Sequence, residues 1–292
     1  MQNSVKSGFI SVLGRTNAGK SSLINALSKC KIALVSHKQN ATRRKVRAII
    51  MHENAQLIFT DTPGLHKSEK KLNQALINNA LKSLDDCDLV LFVASALDDT
   101  SEYERFLELK AKAQHIVILN KVDLVKNEAL LQKLAQYSKF SPYFKAIIPF
   151  SCKHKSYKKP LLDELVKHLN EHPYFFDPEL LSDTNEKELF RDFILEALFK
   201  NFSDELPYCC EVFVEKVREE AEISFINAII ITDNAQHKAM LIGKNANAIK
   251  RLGKDARAII SDFTGKKTML QLIVQVKTAW QNDENFLKKV VF

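Results

Sequence analysis

An α/β domain followed by a smaller α+β domain is the architecture this chain of 292 residues predicts. Three observations carry that reading. Strand-like and helix-like segments alternate from the N-terminus to about residue 170, the pattern of a doubly wound sheet. A glycine-rich turn, Gly14 to Ser21, stands between the first strand and the first helix. A proline- and aromatic-rich break, His172-Pro173-Tyr174-Phe175-Phe176-Asp177-Pro178, ends the alternation.

Each element has its own signal. Phe9–Leu13 is a short apolar run that reads as a buried strand, and Ser22–Leu27 has helical spacing of apolar residues. Val46–Ile50 and Gln56–Thr60 read as strands joined by a turn at His52-Glu53-Asn54. Leu72–Leu84 has helical periodicity. Leu89–Ala94 is uniformly apolar, as in a parallel strand covered on both faces. Helices are expected over Glu102–Ala113, Glu128–Tyr137 and Leu161–Leu169, and strands over Ile116–Leu119 and Ala146–Phe150. Past the break, Glu186–Lys200 reads as an amphipathic helix. Val212–Val217, Ile223–Thr232, Lys238–Ile242 and Leu270–Val276 read as strands, with helical pattern over Asn247–Phe263 interrupted at Gly253.

Composition narrows the class. The hydrophobic fraction, 46%, supports real cores, and seven glycines and seven prolines leave little room for long linkers. Five cysteines without a C-x-x-C pair argue for a reducing compartment and against a zinc site, and the histidines lack ligand spacing. No apolar run reaches the roughly 18–20 residues needed to span a bilayer, and a strand that starts this early leads to the expectation of no signal peptide. The net charge is +8, concentrated in two places. Met1–Lys70 holds twelve Lys/Arg against three Asp/Glu, and Lys238–Lys267 holds eight against Asp255 and Asp262. An anionic partner follows, nucleic acid or an acidic lipid surface.

The first motif is Gly14-Arg15-Thr16-Asn17-Ala18-Gly19-Lys20-Ser21, the G-x-x-x-x-G-K-[ST] phosphate loop, continued by Ser22. Its glycines let successive N–H groups face phosphate oxygens, and the helix start adds partial positive charge. Lys20 is expected on the β- and γ-phosphates and the Ser21 hydroxyl on Mg²⁺. Asp61-Thr62-Pro63-Gly64 follows the strand Gln56–Thr60; Asp61 is expected to hold Mg²⁺ and the Gly64 N–H to meet the γ-phosphate. Thr42, in the basic stretch between these motifs, is the candidate hydroxyl that reaches Mg²⁺ only when γ-phosphate is present, an order–disorder switch. Asn120-Lys121-Val122-Asp123 follows the strand Ile116–Leu119. A carboxylate at Asp123 can accept both guanine donors, N1–H and N2–H₂, which adenine lacks, while the Lys121 stem covers the base. Ser151-Cys152-Lys153 follows the last strand, where a backbone N–H can meet guanine O6.

Taken in order, these motifs resemble those of translation-factor-class GTPases. Gln39-Asn40-Ala41-Thr42-Arg43 and Asp61-Thr62-Pro63-Gly64-Leu65-His66-Lys67 closely resemble the bacterial Era family, as do Glu205-Leu206-Pro207-Tyr208 and Val274–Trp280 in the second half. The resemblance covers nearly the whole chain. It implies a Ras-like P-loop GTPase domain over 1–172, a linker over 173–184 and a small α+β type II KH domain over 185–292. Ras-like enzymes orient the attacking water with a glutamine; Leu65 stands there, as in the Era-like group, which implies slow intrinsic hydrolysis. Two devices stay open for stabilising the transition state. One is K⁺ held by Asn17, which is also a common turn-former; the other is Arg43 or Arg44 acting in cis.

In the second domain Ile242-Gly243-Lys244-Asn245-Ala246 resembles the KH G-x-x-G clamp, with alanine where the last glycine is expected. Lys250, Arg251 and Lys254 extend its charge. The resemblance implies binding to the 3′ end of 16S rRNA, a role in 30S subunit assembly, a monomer, and a cytoplasmic location with peripheral contact at the inner membrane.

Overall fold

The computed structural model describes residues 5–28, 31–36, 46–62, 86–109, 113–203, 205–283 and 285–287. The chain divides into two compact units. One comprises residues 1–33, 42–68 and 75–183; the other comprises 34–41, 69–74 and 184–292.

The first unit is built on a six-stranded sheet ordered β2-β3-β1-β4-β5-β6. Its strands are β1 (Lys6–Leu13), β2 (Val46–His52), β3 (Ala55–Asp61), β4 (Leu89–Ser95), β5 (Gln114–Asn120) and β6 (Ile147–Pro149). Only β2 runs antiparallel, paired to β3 through a tight turn in which Glu53 takes φ +50°. The other neighbours are parallel. Every residue of β3 and β4 is buried, as expected of parallel strands covered on both faces. The helices are α1 (Lys20–Leu27), α2 (Ser101–Glu108), α3 (Asn127–Ser138) and α4 (Lys158–Lys167). An aromatic cluster of Phe92, Tyr103, Phe106 and Tyr137 fills the core beside β4 and β5. Burial brings the His115 imidazole at its rim down to about 4, so it stays neutral while its ring nitrogen shares a hydrogen bond with the Tyr103 hydroxyl (2.8 Å). The helix expected over Leu72–Leu84 lies outside the described residues.

Residues 173–183, read from the sequence as linker, run along the β2–β3 edge of this sheet. The Gln56 side chain accepts from the N–H groups of Phe175 and Phe176 and donates to the Phe176 carbonyl. The Ile49 N–H donates to Leu181, and Arg47 pairs with Asp183 at 2.7 Å. A buried glutamine cannot leave its amide unsatisfied, and this segment supplies its partners.

The second unit has the order α5 (Glu186–Asn201), β7 (Cys210–Glu219), β8 (Ile223–Thr232), α6 (Ala235–Ile242), α7 (Asn247–Thr264) and β9 (Lys267–Val276). The sheet order is β7-β8-β9, antiparallel then parallel. Three expectations are corrected here. The segment Lys238–Ile242 is not a strand but the end of α6, because the Asn234 side chain accepts from His237 N–H at 2.7 Å and starts a helix. Gly253 does not interrupt α7; it lies inside the helix with the Leu272 side chain beside it, where a small residue is useful. And α5 is not simply amphipathic: it buries Leu189 to Leu195 and Ala197 to Phe199, Arg191 and Asp192 among them. The Arg191 guanidinium bonds Asp192 (2.6 Å) and Glu211 (2.5 Å), so charges that periodicity assigns to water neutralise one another inside.

Candidate functional site

The parallel strands of the first sheet end on one edge, and the chain leaves that edge carrying every described motif. After β1, Gly14 takes φ +140° and Gly19 φ +100°. A Cβ at Gly14 would stand 2.2 Å from the Val93 carbonyl oxygen, and one at Gly19 would stand 2.2 Å from Asn120 Nδ2. Both positions therefore require glycine for space as well as for torsion. Asn17 adopts the left-handed region at φ +63°, the conformation of a turn-former. Thr16 and Ala18 are buried, and Arg15 reaches out to Asp98 at 3.3 Å. The N-cap of α1 is Gly19, which offers no side chain to occupy the first-turn N–H groups, the groups that make a helix start an anion site.

Lys20 is buried, and its ammonium donates to the carbonyls of Gly14 (3.0 Å) and Arg15 (2.9 Å). Desolvation brings it from 10.5 down to about 8, against an opposing pull from Asp61. Next to it, the Ser21 hydroxyl donates to Asp61 Oδ2 at 2.6 Å. A hydroxyl and a carboxylate so joined at the mouth of the loop form a hard-oxygen donor set, which fits Mg²⁺. The Thr62 hydroxyl is fully buried and donates to the Val12 carbonyl (2.7 Å), which ties this loop's root to β1. Thr42, Arg43, Arg44, Pro63, Gly64 and Leu65 lie outside the described residues.

On the far side of the loop, Asn120 donates through Nδ2 to the Ala18 carbonyl (2.9 Å). Lys121, at φ +63°, sends its ammonium to the Asn17 carbonyl at 2.6 Å. The strand end after β5 is thus fastened to the phosphate loop at two points. Asp123 follows in a single 3₁₀ turn, Val122–Leu124, with its side chain 11% exposed. Its Oδ1 accepts from the Ser151 hydroxyl (2.8 Å), and Oδ2 faces the Lys153 ammonium (3.0 Å). The Ser151 bond, then Lys153, hold this carboxyl below its usual range. Cys152 places its sulfur 3.6 Å from Asn120 Oδ1, and burial pushes the thiol up to about 11, so it is no nucleophile. From sequence alone Ser151-Cys152-Lys153 is expected to give the base a backbone contact, but the Ser151 hydroxyl that orients Asp123 is not foreseeable there, because a serine 28 positions away carries no spacing signal.

In the second unit α6 ends at Ile242, and Gly243 takes φ +71°; a Cβ there would lie 2.7 Å from that of Ala248. Lys244–Ala246 form a 3₁₀ turn closed by Ala246 N–H on the Gly243 carbonyl (3.1 Å). Asn245 (φ +53°) and Ala246 (φ +58°) both adopt the left-handed region. The loop thus keeps the backbone path that glycine would favour, with alanine in it. Lys244, Asn245, Lys250 and Lys254 are exposed around it, and Ile242 and Ile249 are half-buried. Arg251 is exposed as well, and its guanidinium bonds Asn201 Oδ1 (2.8 Å) and the Asn201 carbonyl (3.1 Å).

A phosphate loop fastened to an Asn-Lys-Val-Asp turn defines a P-loop GTPase domain, and the αββααβ unit with its glycine-started loop defines a KH domain of type II. Family models agree: one described as a 50S ribosome-binding GTPase matches residues 9–121, and one described as a KH domain matches 205–281. The chain is 59% identical over 287 residues to the GTPase Era of Campylobacter jejuni subsp. jejuni serotype O:23/36, covering 98% of this chain and 99% of that one. It is 57% identical over 288 residues to the GTPase Era of Campylobacter lari, covering 99% of each. Among solved structures, an Aquifex aeolicus Era variant bound to GDP·AlF₄⁻ superposes with a TM-score of 0.92 at 25% identity, covering 98% of this chain and 99% of that one. Era in complex with MgGDPNP and nucleotides 1506–1542 of 16S ribosomal RNA also gives 0.92, at 26% identity and 98% coverage of both chains. The chain belongs to the GTPase Era family. No helix among the described residues is long and apolar enough to cross a membrane.

Proposed function

We propose that this chain is a guanine-nucleotide switch that hydrolyses GTP, binds the 3′ end of 16S rRNA through its KH loop, and assists 16S rRNA processing and 30S subunit assembly in the cytoplasm. The observation that carries it is the pairing, on one chain, of the Asp123 carboxylate held by Ser151 beside the phosphate loop with a formed KH loop. A relative that matches both units was solved with MgGDPNP and a 16S rRNA segment.

On this reading the residues take the following roles. Gly14 to Ser22 wrap the phosphates with backbone N–H groups. Lys20 exchanges its two carbonyl partners for β- and γ-phosphate oxygens, which restores its full charge. Ser21 and Asp61 would hold Mg²⁺, with Thr42 joining when the γ-phosphate is present; the ion would neutralise charge that develops on the phosphates. Thr62, Pro63, Gly64 and Leu65 form the loop that senses the γ-phosphate, and Leu65 leaves the attacking water without a side-chain hydrogen bond. Asn17, anchored through its carbonyl to Lys121, would offer a side-chain oxygen to K⁺, which supplies positive charge to the transition state. Asn120, Lys121, Val122, Asp123, Ser151, Cys152 and Lys153 form the guanine pocket. Lys153 leaves Asp123 Oδ2 when the base arrives. Gly243, Lys244, Asn245, Ala246, Lys250 and Lys254 clamp the RNA backbone, with Ile242 beside the bases and Arg251 as a brace to α5.

Calorimetry with GDP, ADP and xanthosine diphosphate tests the pocket. GDP binds wild-type protein strongly over ADP, and Asp123→Asn transfers the preference to the xanthine nucleotide, whose 2-oxo group accepts from the new amide. Equal binding of GDP and ADP by the wild type refutes the assignment. Crosslinking in cells with sequencing of attached RNA tests the partner: enrichment at the 16S 3′ end is expected, and its absence refutes it. Turnover equal in K⁺ and Na⁺ removes the cation from the mechanism.

A further inference from the structure

The antiparallel register of β7 and β8 sets Cys210 opposite Thr232. The next residues outward, Cys209 and Asp233, therefore emerge side by side at the end of the sheet. Asn234 then caps α6, and His237 falls one turn beyond Asp233, with its ring nitrogen Nδ1 2.5 Å from Asp233 Oδ1. One ligand atom from each of Cys209, Asp233 and His237 lies within 4.8 Å of the others. Cys209 is buried and in no disulfide, while Asp233 and His237 keep 30% and 19% of their side-chain surface open, a route from solvent. None of these residues belongs to the nucleotide pocket or the KH loop.

We propose that Cys209, Asp233 and His237 form a site for one divalent transition-metal ion of the zinc class. Thiolate, imidazole and carboxylate together suit Zn²⁺ and disfavour Mg²⁺, and three protein ligands leave a fourth position for water. Reaching the roughly 3.5 Å edges of a zinc tetrahedron asks shifts of about 1 Å, with the His237–Asp233 pair opening from its 2.5 Å hydrogen bond. Binding releases the Cys209 thiol proton and replaces the His237–Asp233 hydrogen bond with two metal bonds; thiolate, carboxylate and dication then sum to zero. The ion joins the start of β7 to the start of α6. That helix runs about 12 Å to Gly243, so the ion braces the support of the KH loop. The separation of the three ligands in sequence explains why the cysteine and histidine spacing pointed away from zinc.

The chain reports on this site itself. Trp280, its one tryptophan, donates from Nε1 to the Cys209 carbonyl at 3.0 Å. Full-length protein, stripped with a chelator and held in saturating Mg²⁺ and GDP so that the phosphate site is filled, is titrated with Co²⁺. One equivalent is expected to bind, with thiolate-to-cobalt charge-transfer absorption, tetrahedral ligand-field bands and quenching of Trp280, all reversed by Zn²⁺. Loss of an outer-shell partner alone costs about 10–100-fold in affinity, so Cys209→Ser and His237→Gln should each lower Zn²⁺ affinity by more than about 100-fold. Cys152→Ser should change neither spectrum nor affinity. Asp233→Asn, which keeps the sulfur, should weaken binding and serves if Cys209→Ser does not fold. A wild-type titration without charge-transfer absorption, or the same spectrum from Cys209→Ser, overturns the proposal.

Discussion

Ala246→Gly tests whether the KH loop carries stored backbone strain. Ala246 sits at φ +58° and ψ +23°. The left-handed region costs an L-residue roughly 1–2 kcal/mol, which glycine avoids. Glycine also gains freedom in the unfolded chain, worth roughly 0.4–1 kcal/mol against the folded state. The difference leaves the variant more stable by about 0.5–1 kcal/mol, or about 3–6 °C in Tm for a domain of this size. Gly243→Ala is the opposing control, because its φ of +71° adds strain and its Cβ would stand 2.7 Å from that of Ala248. A loss of about 2 kcal/mol is expected there. Buried Trp280 lies in the second unit, so its fluorescence in urea follows that unit. Ala246→Gly should raise the urea midpoint with an unchanged slope, and Gly243→Ala should lower it. A lower midpoint for Ala246→Gly refutes the strain argument outright.

Three other outcomes follow from the same geometry. Ser151→Ala removes the hydroxyl that holds Asp123; GDP affinity in calorimetry should fall about 5–10-fold, the worth of about 1 kcal/mol, with ADP affinity unchanged. Lys20 loses its proton as pH rises through about 8 in the free protein, whereas the phosphate-bound state needs it charged. Nucleotide binding should therefore take up a proton at pH 9 but not through this group at pH 7, and affinity should fall by up to about tenfold per pH unit above 8; calorimetry in buffers of different ionisation enthalpy reads the uptake. Arg191→Met leaves Glu211 and Asp192 buried beside each other without their cation, and chemical denaturation should show a loss of about 3–5 kcal/mol.

Much of the first unit is legible because local chemistry and global fold agree. Leu89–Ala94 of β4 and Ile116–Leu119 of β5 are apolar because they are buried in the sheet, and Gly14 and Gly19 are glycine because Val93 and Asn120 leave no room for a Cβ. The second unit is legible in outline only. The segment from Lys238 to Ile242 carries a strand-like pattern, yet one asparagine cap turns it into a helix. The mixture of charge and apolar residues in α5 suggests a wet face, yet Glu211, from a strand outside the helix, lets Arg191 go inside.

By itself the sequence determined the order of motifs, the phosphate loop, the Asn-Lys-Val-Asp turn and the presence of a KH loop, since each depends on residues a few positions apart. Tertiary structure alone decided that Ser151 orients Asp123, that Lys121 grips Asn17, that Arg251 braces Asn201 and that Cys209, Asp233 and His237 meet. Those contacts join residues far apart along the chain, and only sheet register and helix packing determine which distant side chains share a place.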